Sequence, residues 1–512
     1  MLFNSYEFVL VFLPLTLAAF YLLGSIGGRV AVAWLCLASF IFYAYWHPIY
    51  VLLLVASVVV NFAAGRKLAE LHRAGDWRVR PLMIAAVGAN IAALAYFKYT
   101  NFVVDNVAAL TGIDFTIRAI VLPIGISFYT FQQIAYVVDA AHGRDEGRNL
   151  IDYSLFVSFF PQLIAGPIVH HREVLQQFAN PAVYRLNWDN IAAGIMFFVI
   201  GLFKKVVIAD TMAGFSSPVF AAAAQGAHPT LIESWGAALA YTLQLYFDFS
   251  GYSDMAIGLG LMFNIRLPVN FNSPYKAVSI IEFWRRWHIT LSRFLRDYLY
   301  VALGGNRRGP RRRYVNIFLT MLLGGIWHGA GWTFALWGAL HGTYLVINHL
   351  WRAWRPPGRK SSIAGQWLAW ALTLLALIVG WVIFRAETVG SAWTMLRGMA
   401  GANGVAFAPN MVEVFAPAAW LAETAGIRIA PLQFFYGPEQ ALLTACLLLI
   451  VLFAPNSQQI MGYIAPNDDA PRSTLAQQRW SPSRGWAVVA ASAFIYTMTQ
   501  MSEVSEFLYF QF

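Results

Sequence analysis

Two histidines sit in the most informative stretches of this 512-residue chain: His328 within LLGGIWHGAGWTFALWGALHG (322–342), and His288 within IEFWRRWHITLSRFLRDYLY (281–300). Imidazole changes protonation near neutral pH and can act as general base toward a hydroxyl nucleophile. No rival catalytic signature competes. The sequence has no G-x-S-x-G elbow, P-loop, G-x-G-x-x-G or H-E-x-x-H. Ser273-Pro274-Tyr275-Lys276 matches S-x-x-K only formally, because Pro interrupts it and its companion motifs are missing. No metal site is expected.

The setting of His328 makes it the first catalytic candidate. If Arg307–Arg313 marks one membrane face, a helix from Tyr314 to Trp327 rises roughly 20 Å and sets His328 inside a ~30 Å apolar core. An ionisable residue at that depth signals function. Trp327 and Trp332 could wall a cavity, and Gly324, Gly325, Gly329 and Gly331 permit a break or close backbone approach. A packing histidine beside small-residue helix contacts would look similar. That packing reading is preferred for His341, which would fall on another helical face.

On a helical wheel, Glu282, Arg285, Arg286, Arg293, Arg296 and Asp297 share an arc of about 120°, opposite Trp284, Trp287, Leu291, Phe294, Leu295 and Tyr298. The pattern predicts one amphipathic helix lying in the membrane interface, with His288 at the edge of its apolar arc. His288 either supports His328 or simply donates to a neighbouring carbonyl. YFDFSGYSD (246–254), followed by Asn270, adds Asp248, Tyr252 and Asp254 as candidates to line a substrate path; pairing of the two acids with the arginines of 281–300 is the commoner explanation of such residues. PQLIAGP (161–167) predicts a helix break, either a kink or a re-entrant loop.

The elements that position these residues are membrane helices. The chain is 59% hydrophobic, 16% aromatic and 12% charged, with a mean hydropathy of +0.57. Soluble domains average about 25% charged, so a soluble enzyme, a disordered chain and a disulfide scaffold are disfavoured. Unbroken apolar blocks such as Val51–Ala64, Leu82–Phe97 and Trp367–Phe384 favour helices over the short alternations of a barrel. Spans are predicted near 7–24, 30–46, 50–64, 82–97, 119–138, 153–169, 191–208, 232–247, 314–327, 331–350, 367–384, 441–454 and 486–500. The first has no basic n-region and is read as a retained helix, not a signal. The two cysteines, Cys36 and Cys446, lie inside apolar blocks and define no disulfide framework.

Basic clusters at Arg66–Arg80, Arg307–Arg313 and Arg352–Lys360 predict cytoplasmic loops, whereas 401–440 carries Arg428 as its one basic residue and should face the other side. Counting spans from these points places both termini on the outer side. The net charge of +10 is then a topology signal. A nucleic-acid partner is not expected, since no basic soluble domain is present. Ala465–Ser483 reads as a cytoplasmic loop. The whole chain, 1–512, reads as one membrane domain, with 386–438 as a periplasmic insertion.

YFDFSGYSDMAIGLG (246–260), EFWRRWHITLSRFLRDYLYVALGGNRRG (282–309) and LLGGIWHGAGWTFALWGALHG (322–342) together resemble the membrane-bound O-acyltransferases (MBOAT), specifically the bacterial alginate O-acetyltransferase-like subgroup. MLFNSYEFVLVFLPL, LPIGISFYTFQ, PQLIAGP and SEFLYFQF fit the same subgroup. The resemblance covers nearly the whole chain, apart from 386–438. It implies an all-α polytopic fold, a ring of transmembrane, re-entrant and interfacial helices around a tunnel. It also implies His328 as the catalytic histidine, with His288 at the second polar position. Independently of the resemblance, the charged face of the predicted interfacial helix would set Arg285, Arg286, Arg293 and Arg296 near anionic headgroups or donor phosphates. The implied reaction is acetyl transfer from a cytoplasmic donor, acetyl-CoA, across the inner membrane toward an exopolysaccharide such as alginate or cellulose. A periplasmic acceptor protein and a polysaccharide synthesis complex are the implied partners, the bilayer the implied surroundings, and no bound cofactor is expected. A transporter or channel component of a polymer-export complex is the competing class, because an intramembrane histidine also serves proton or substrate paths.

Overall fold

The computed structural model describes residues 1–113, 119–144, 149–355, 362–414, 420, 422–424, 427–463, 480–501 and 508. Arg359 and Lys360, most of the loop expected at 465–483, and SEFLYFQF (505–512) except Leu508 lie outside them. The regular structure of the described residues is helical apart from a two-residue parallel strand pair, Ala406–Phe407 with Arg428–Ile429. Among the described residues, five helical stretches are long and apolar enough to cross a membrane: Glu7–Ile26, Ile49–Arg73, Val79–Thr111, Trp188–Ala224 and Ile363–Arg385. Their outer surfaces carry exposed Leu15, Leu52, Val60 and Leu368, as expected of helices that are apolar all round. The chain is a multi-pass membrane protein. Each predicted span is met by a helix, although 153–169 divides into Leu150–Ser158 and Phe160–Leu163, and the segment predicted at 232–247 extends to Leu231–Met262.

The chain forms two compact units. The first comprises 1–203, 251–270 and 457–511, and the second comprises 204–250 and 271–456. In the first unit, the rings of Phe3, Phe8, Phe12, Phe42 and Phe160 interlock with centroid separations of 4.9–6.0 Å. Asn61 and Asn90 join the helices Ile49–Arg73 and Val79–Thr111 by reciprocal amide hydrogen bonds of 3.1 and 2.6 Å. Such a pair satisfies polar groups that water cannot reach. Helix Trp188–Phe203 crosses residues 251–262 at glycines: a Cβ on Gly194 would sit 2.6 Å from the Gly258 carbonyl oxygen. At the loop Arg73–Arg80 the Arg78 guanidinium donates to Asp76 and holds that carboxyl below its ordinary range. The break expected in PQLIAGP is present: the short helix Phe160–Leu163, entered from Phe159 at φ −49°, ψ 106°, ends inside the motif, and 164–170 run on as turn and irregular chain.

The second unit contains the paired helices Gly309–His328 and Trp332–Trp354, with Ile363–Arg385 beside them. The pair approaches closely because glycines face each other. A Cβ on Gly338 would meet the Met321 carbonyl oxygen at 2.6 Å, and one on Gly325 would meet the Phe334 carbonyl oxygen at 2.4 Å. Within the expected insertion, Thr388 caps helix Val389–Met399 by accepting from the Ser391 backbone N–H, 3.0 Å, ahead of the strand pair.

The single amphipathic helix expected over Ile281–Tyr300 is not formed. The chain runs as Ile280–Arg286, an extended Trp287, then Ile289–Phe294 and a wider turn through Tyr300. His288 itself adopts a left-handed conformation, φ 42°, ψ 53°. Histidine is among the non-glycine residues that tolerate this region, and no Gly or Pro announces the break. The apolar assignment survives, since Trp284, Trp287, Leu291, Phe294 and Leu295 are all buried. The edge position of His288 does not, because its side chain is wholly buried.

Candidate active site

His328 is the last residue of helix Gly309–His328, and Gly329–Gly331 leads into the next helix. This ending is built in locally. A Cβ at Gly329 would lie 2.2 Å from the Phe334 ring, so glycine is needed for the chain to turn there against Phe334. The imidazole is buried against three aromatic rings, with centroids 5.0 Å from Trp327, 5.1 Å from Trp337 and 5.4 Å from Phe384. Trp337 and Phe384 meet His328 nearly perpendicularly, at 89° and 79°. Ring edges and faces thus fix the imidazole plane, which is what a base must have before it meets a proton.

The aromatic wall continues away from His328. Trp337 stacks on Trp381 at 6.0 Å, and Trp381 lies 4.9 Å from Trp287, the residue preceding His288. His288 packs edge-on to Phe249 at 4.7 Å. The two candidate histidines therefore belong to one aromatic framework of the second unit, joined by Trp337, Trp381 and Trp287. His341 belongs to it too. It is fully buried, 4.7 Å from Trp337 and 5.5 Å from Trp284, and a Cβ at Gly380 would come within 2.9 Å of its Nε2. The different helical face expected for His341 still leads to the same cluster, because Trp337 reaches both histidines.

The remaining candidates divide between the units. Trp327 is buried in the cluster, whereas Trp332, the first residue of its helix, is 63% exposed. Arg285 is exposed, and Arg286 is ion-paired with Glu282 at 2.8 Å while donating to the Asn272 carbonyl at 3.2 Å. Asp248 is buried beside Lys205, 2.7 Å away, whose ammonium also reaches Asp210 at 2.9 Å. In the first unit, Asp254 accepts a hydrogen bond from Ser457, 2.7 Å, Tyr252 stacks on Phe3 at 4.8 Å, and Asn270 is buried. The acids were expected beside the arginines of 281–300; the structure gives Asp248 a buried lysine and Asp254 a serine hydroxyl, partners which that expectation did not include. Both acids are buried on Leu231–Met262.

Sequence reasoning did not single out Trp337, Trp381, Phe384, Phe249 or Lys205. Lys205 had a signal: it is a cation inside the apolar stretch 191–208, which by itself calls for a buried counter-ion. The tryptophans and phenylalanines had only local aromatic density, because nothing in spacing says that 332–341, 381–384 and 284–287 converge.

His328 is thus a sequestered, aromatic-walled histidine at the broken end of a helix within a polytopic helical protein, a setting in which an imidazole can take and return a proton. Residues 124–385 match the MBOAT, membrane-bound O-acyltransferase family, and the chain belongs to that family; it is an acyltransferase. It is 44% identical over 433 residues to the peptidoglycan O-acetyltransferase of Helicobacter pylori, covering 79% of this chain and 81% of that protein. It is 46% identical over 404 residues to the probable alginate O-acetylase AlgI of Azotobacter vinelandii, covering 78% of each. Similarity at 26% identity extends to the teichoic acid D-alanyltransferase of Bacillus subtilis, over 52% of this chain and 69% of that one.

Proposed function

We propose that this protein is an O-acetyltransferase of the bacterial inner membrane that carries acetyl groups from cytoplasmic acetyl-CoA toward a cell-envelope or extracellular polysaccharide. Two relatives of near-equal identity act, by name, as O-acetylating enzymes of peptidoglycan and alginate, which supports acetyl as the acyl group and a glycan as its destination. A periplasmic acceptor protein and a polysaccharide synthesis complex are its partners in this reading. Both termini face the periplasm.

The observation that carries the chemistry is the burial of His328 among Trp327, Trp337 and Phe384 at a helix end. His328 takes the proton of the attacking hydroxyl as its oxygen bonds to the acetyl carbonyl carbon. The carbonyl–sulfur bond then breaks, and the proton passes to the departing CoA thiolate. Nothing is oxidised or reduced. His288 supports this step through the shared aromatic framework, and the dry surroundings keep water from competing for the acetyl group.

The test is release of free CoA by the purified full chain with acetyl-CoA and a glycan acceptor. His328→Gln keeps volume and hydrogen bonding but cannot take a proton, so the rate should fall by ~10²–10⁴-fold with membrane insertion unchanged. Near-native turnover by that variant would end the acid–base role. Turnover with alginate but not peptidoglycan fragments, or the reverse, identifies the polymer.

A further inference from the structure

Within the first unit, three potential ligands that no step above uses converge. Asp139 lies in the last turn of helix Ile126–Ala141, and His170 and His171 open the short helix His171–Phe178 directly after the PQLIAGP break. One ligand atom from each of the three lies within 4.8 Å of the others. His170 Nε2 is 2.5 Å and His171 Nδ1 3.8 Å from the same oxygen, Asp139 Oδ2. Asp139 is 1% and His171 3% exposed.

We propose that Asp139, His170 and His171 form a site for a borderline divalent transition metal, Zn²⁺ or a close analogue, that staples the PQLIAGP break to the end of helix Ile126–Ala141. Two imidazoles and a carboxylate are a donor set these ions take, with a water completing four-coordination. A tetrahedral zinc site with bonds of ~2.0–2.1 Å spaces its donors by about 3.3 Å. The His171 contact is longer than that and the His170 contact shorter, so small opposite side-chain shifts around Asp139 Oδ2 reach the required spacing.

His171 supplies the second observation. Among the described residues neither of its ring nitrogens makes a hydrogen bond of ordinary geometry, a looser approach to the Arg144 backbone apart, although the ring is buried between Tyr136 and Phe156 at centroid distances of 5.8 and 6.2 Å. Its lone pair toward Asp139 is too far for a hydrogen bond and well placed for a shared cation. His170 accepts from the Arg172 backbone N–H at 3.5 Å through Nδ1, which puts its proton on Nε2 facing Asp139. Metal at Nε2 takes the place of that proton, which leaves for Nδ1 or solvent; the contact given up is a long one. Arg144, 3.5 Å from Asp139 Oδ1, engages the other carboxylate oxygen.

The experiment uses the full chain in detergent, purified with a tag free of histidine. Exposure to Zn²⁺ or Co²⁺ followed by gel filtration and elemental analysis should retain one metal per chain, and Co²⁺ should develop the strong visible absorption of a four-coordinate site. Asp139→Asn and His171→Phe, the latter chosen to keep the packing against Tyr136 and Phe156, should each weaken binding at least ~10–100-fold. His72→Gln/His142→Gln should bind as the native chain does. Zn²⁺ should raise the thermal midpoint of the native chain and not of Asp139→Asn. Retention of no metal by the native chain, or equal retention by Asp139→Asn, overturns the assignment. Should His171→Phe fail to fold, the part-exposed His170→Ala gives the same comparison.

Discussion

The ion-paired trio Lys205, Asp210 and Asp248 makes the sharpest structural prediction, because it decides whether Asp248 is a counter-ion or a substrate contact. The side chains of Lys205 and Asp248 are each 2% exposed and 2.7 Å apart, whereas Asp210 is 28% exposed and 2.9 Å away. Lys205→Met removes the ammonium and leaves the Asp248 carboxylate in a site without water. Breaking a buried pair in this way costs about 3–5 kcal/mol. Asp248→Asn leaves Lys205 its ion pair with Asp210, so its cost should be smaller. Asp210→Asn loses a half-solvated partner and should cost about 0–1 kcal/mol.

In the double variant Lys205→Met/Asp248→Asn no uncompensated charge remains at full burial. Its cost should fall short of the sum of the singles by about 0.5–3 kcal/mol, as for any directly coupled pair. The readouts are the thermal midpoint of detergent-solubilised protein and, well below that midpoint, acetyl transfer. Additive singles, or Lys205→Met no less stable than Asp210→Asn, would refute the counter-ion reasoning. A folded Asp248→Asn that is inactive beside a folded, active Lys205→Met would show instead that Asp248 meets substrate.

Gly329→Ala should cut transfer more than it cuts expression, because its Cβ would lie 2.2 Å from the Phe334 ring and Phe334 packs on Phe384, 5.0 Å away, which in turn holds His328; recovery by adding Phe334→Leu is expected, and native activity of the single variant would remove this support of the imidazole. Gly338→Val forces apart Gly309–His328 and Trp332–Trp354, where even a Cβ would sit 2.6 Å from the Met321 carbonyl oxygen, and should lower the yield of folded protein; an unchanged melting curve would contradict the close pairing. A topology reporter after Arg313 should read cytoplasmic and one within 401–440 periplasmic. The opposite result at either site would reverse the direction of acetyl flow proposed here.

Much of the architecture is legible in the chain because a membrane helix satisfies its own backbone and needs only a run of apolar residues to be stable. That is why Ile49–Arg73 and Ile363–Arg385 lie where 50–64 and 367–384 were read, and why the glycines around His328 marked a true break. Helical periodicity was a poorer guide over 281–300. A wheel assumes an unbroken helix, and the left-handed His288 resets the phase of everything after it. The arginines that the wheel gathered onto one face therefore have separate surroundings, with Arg286 held by Glu282 and Arg285 exposed.

By itself the sequence determined the class of molecule, the positions of most of its helices and His328 as the first candidate, since hydropathy, helix-breaking glycines and an imidazole within an apolar stretch are local properties. Tertiary structure alone decided which side chains surround them. Trp337 and Trp381 are 44 residues apart in number (381 − 337) yet stack, Asp248 pairs with Lys205 on another helical segment of the same unit, and Asp139 meets His170 across 31 residues. The physical reason is that in an apolar interior each buried polar group must find a partner and each ring a neighbour. Those partners are chosen by how helices pack, which depends on the distant residues they bring together and not on the spacing within any one of them.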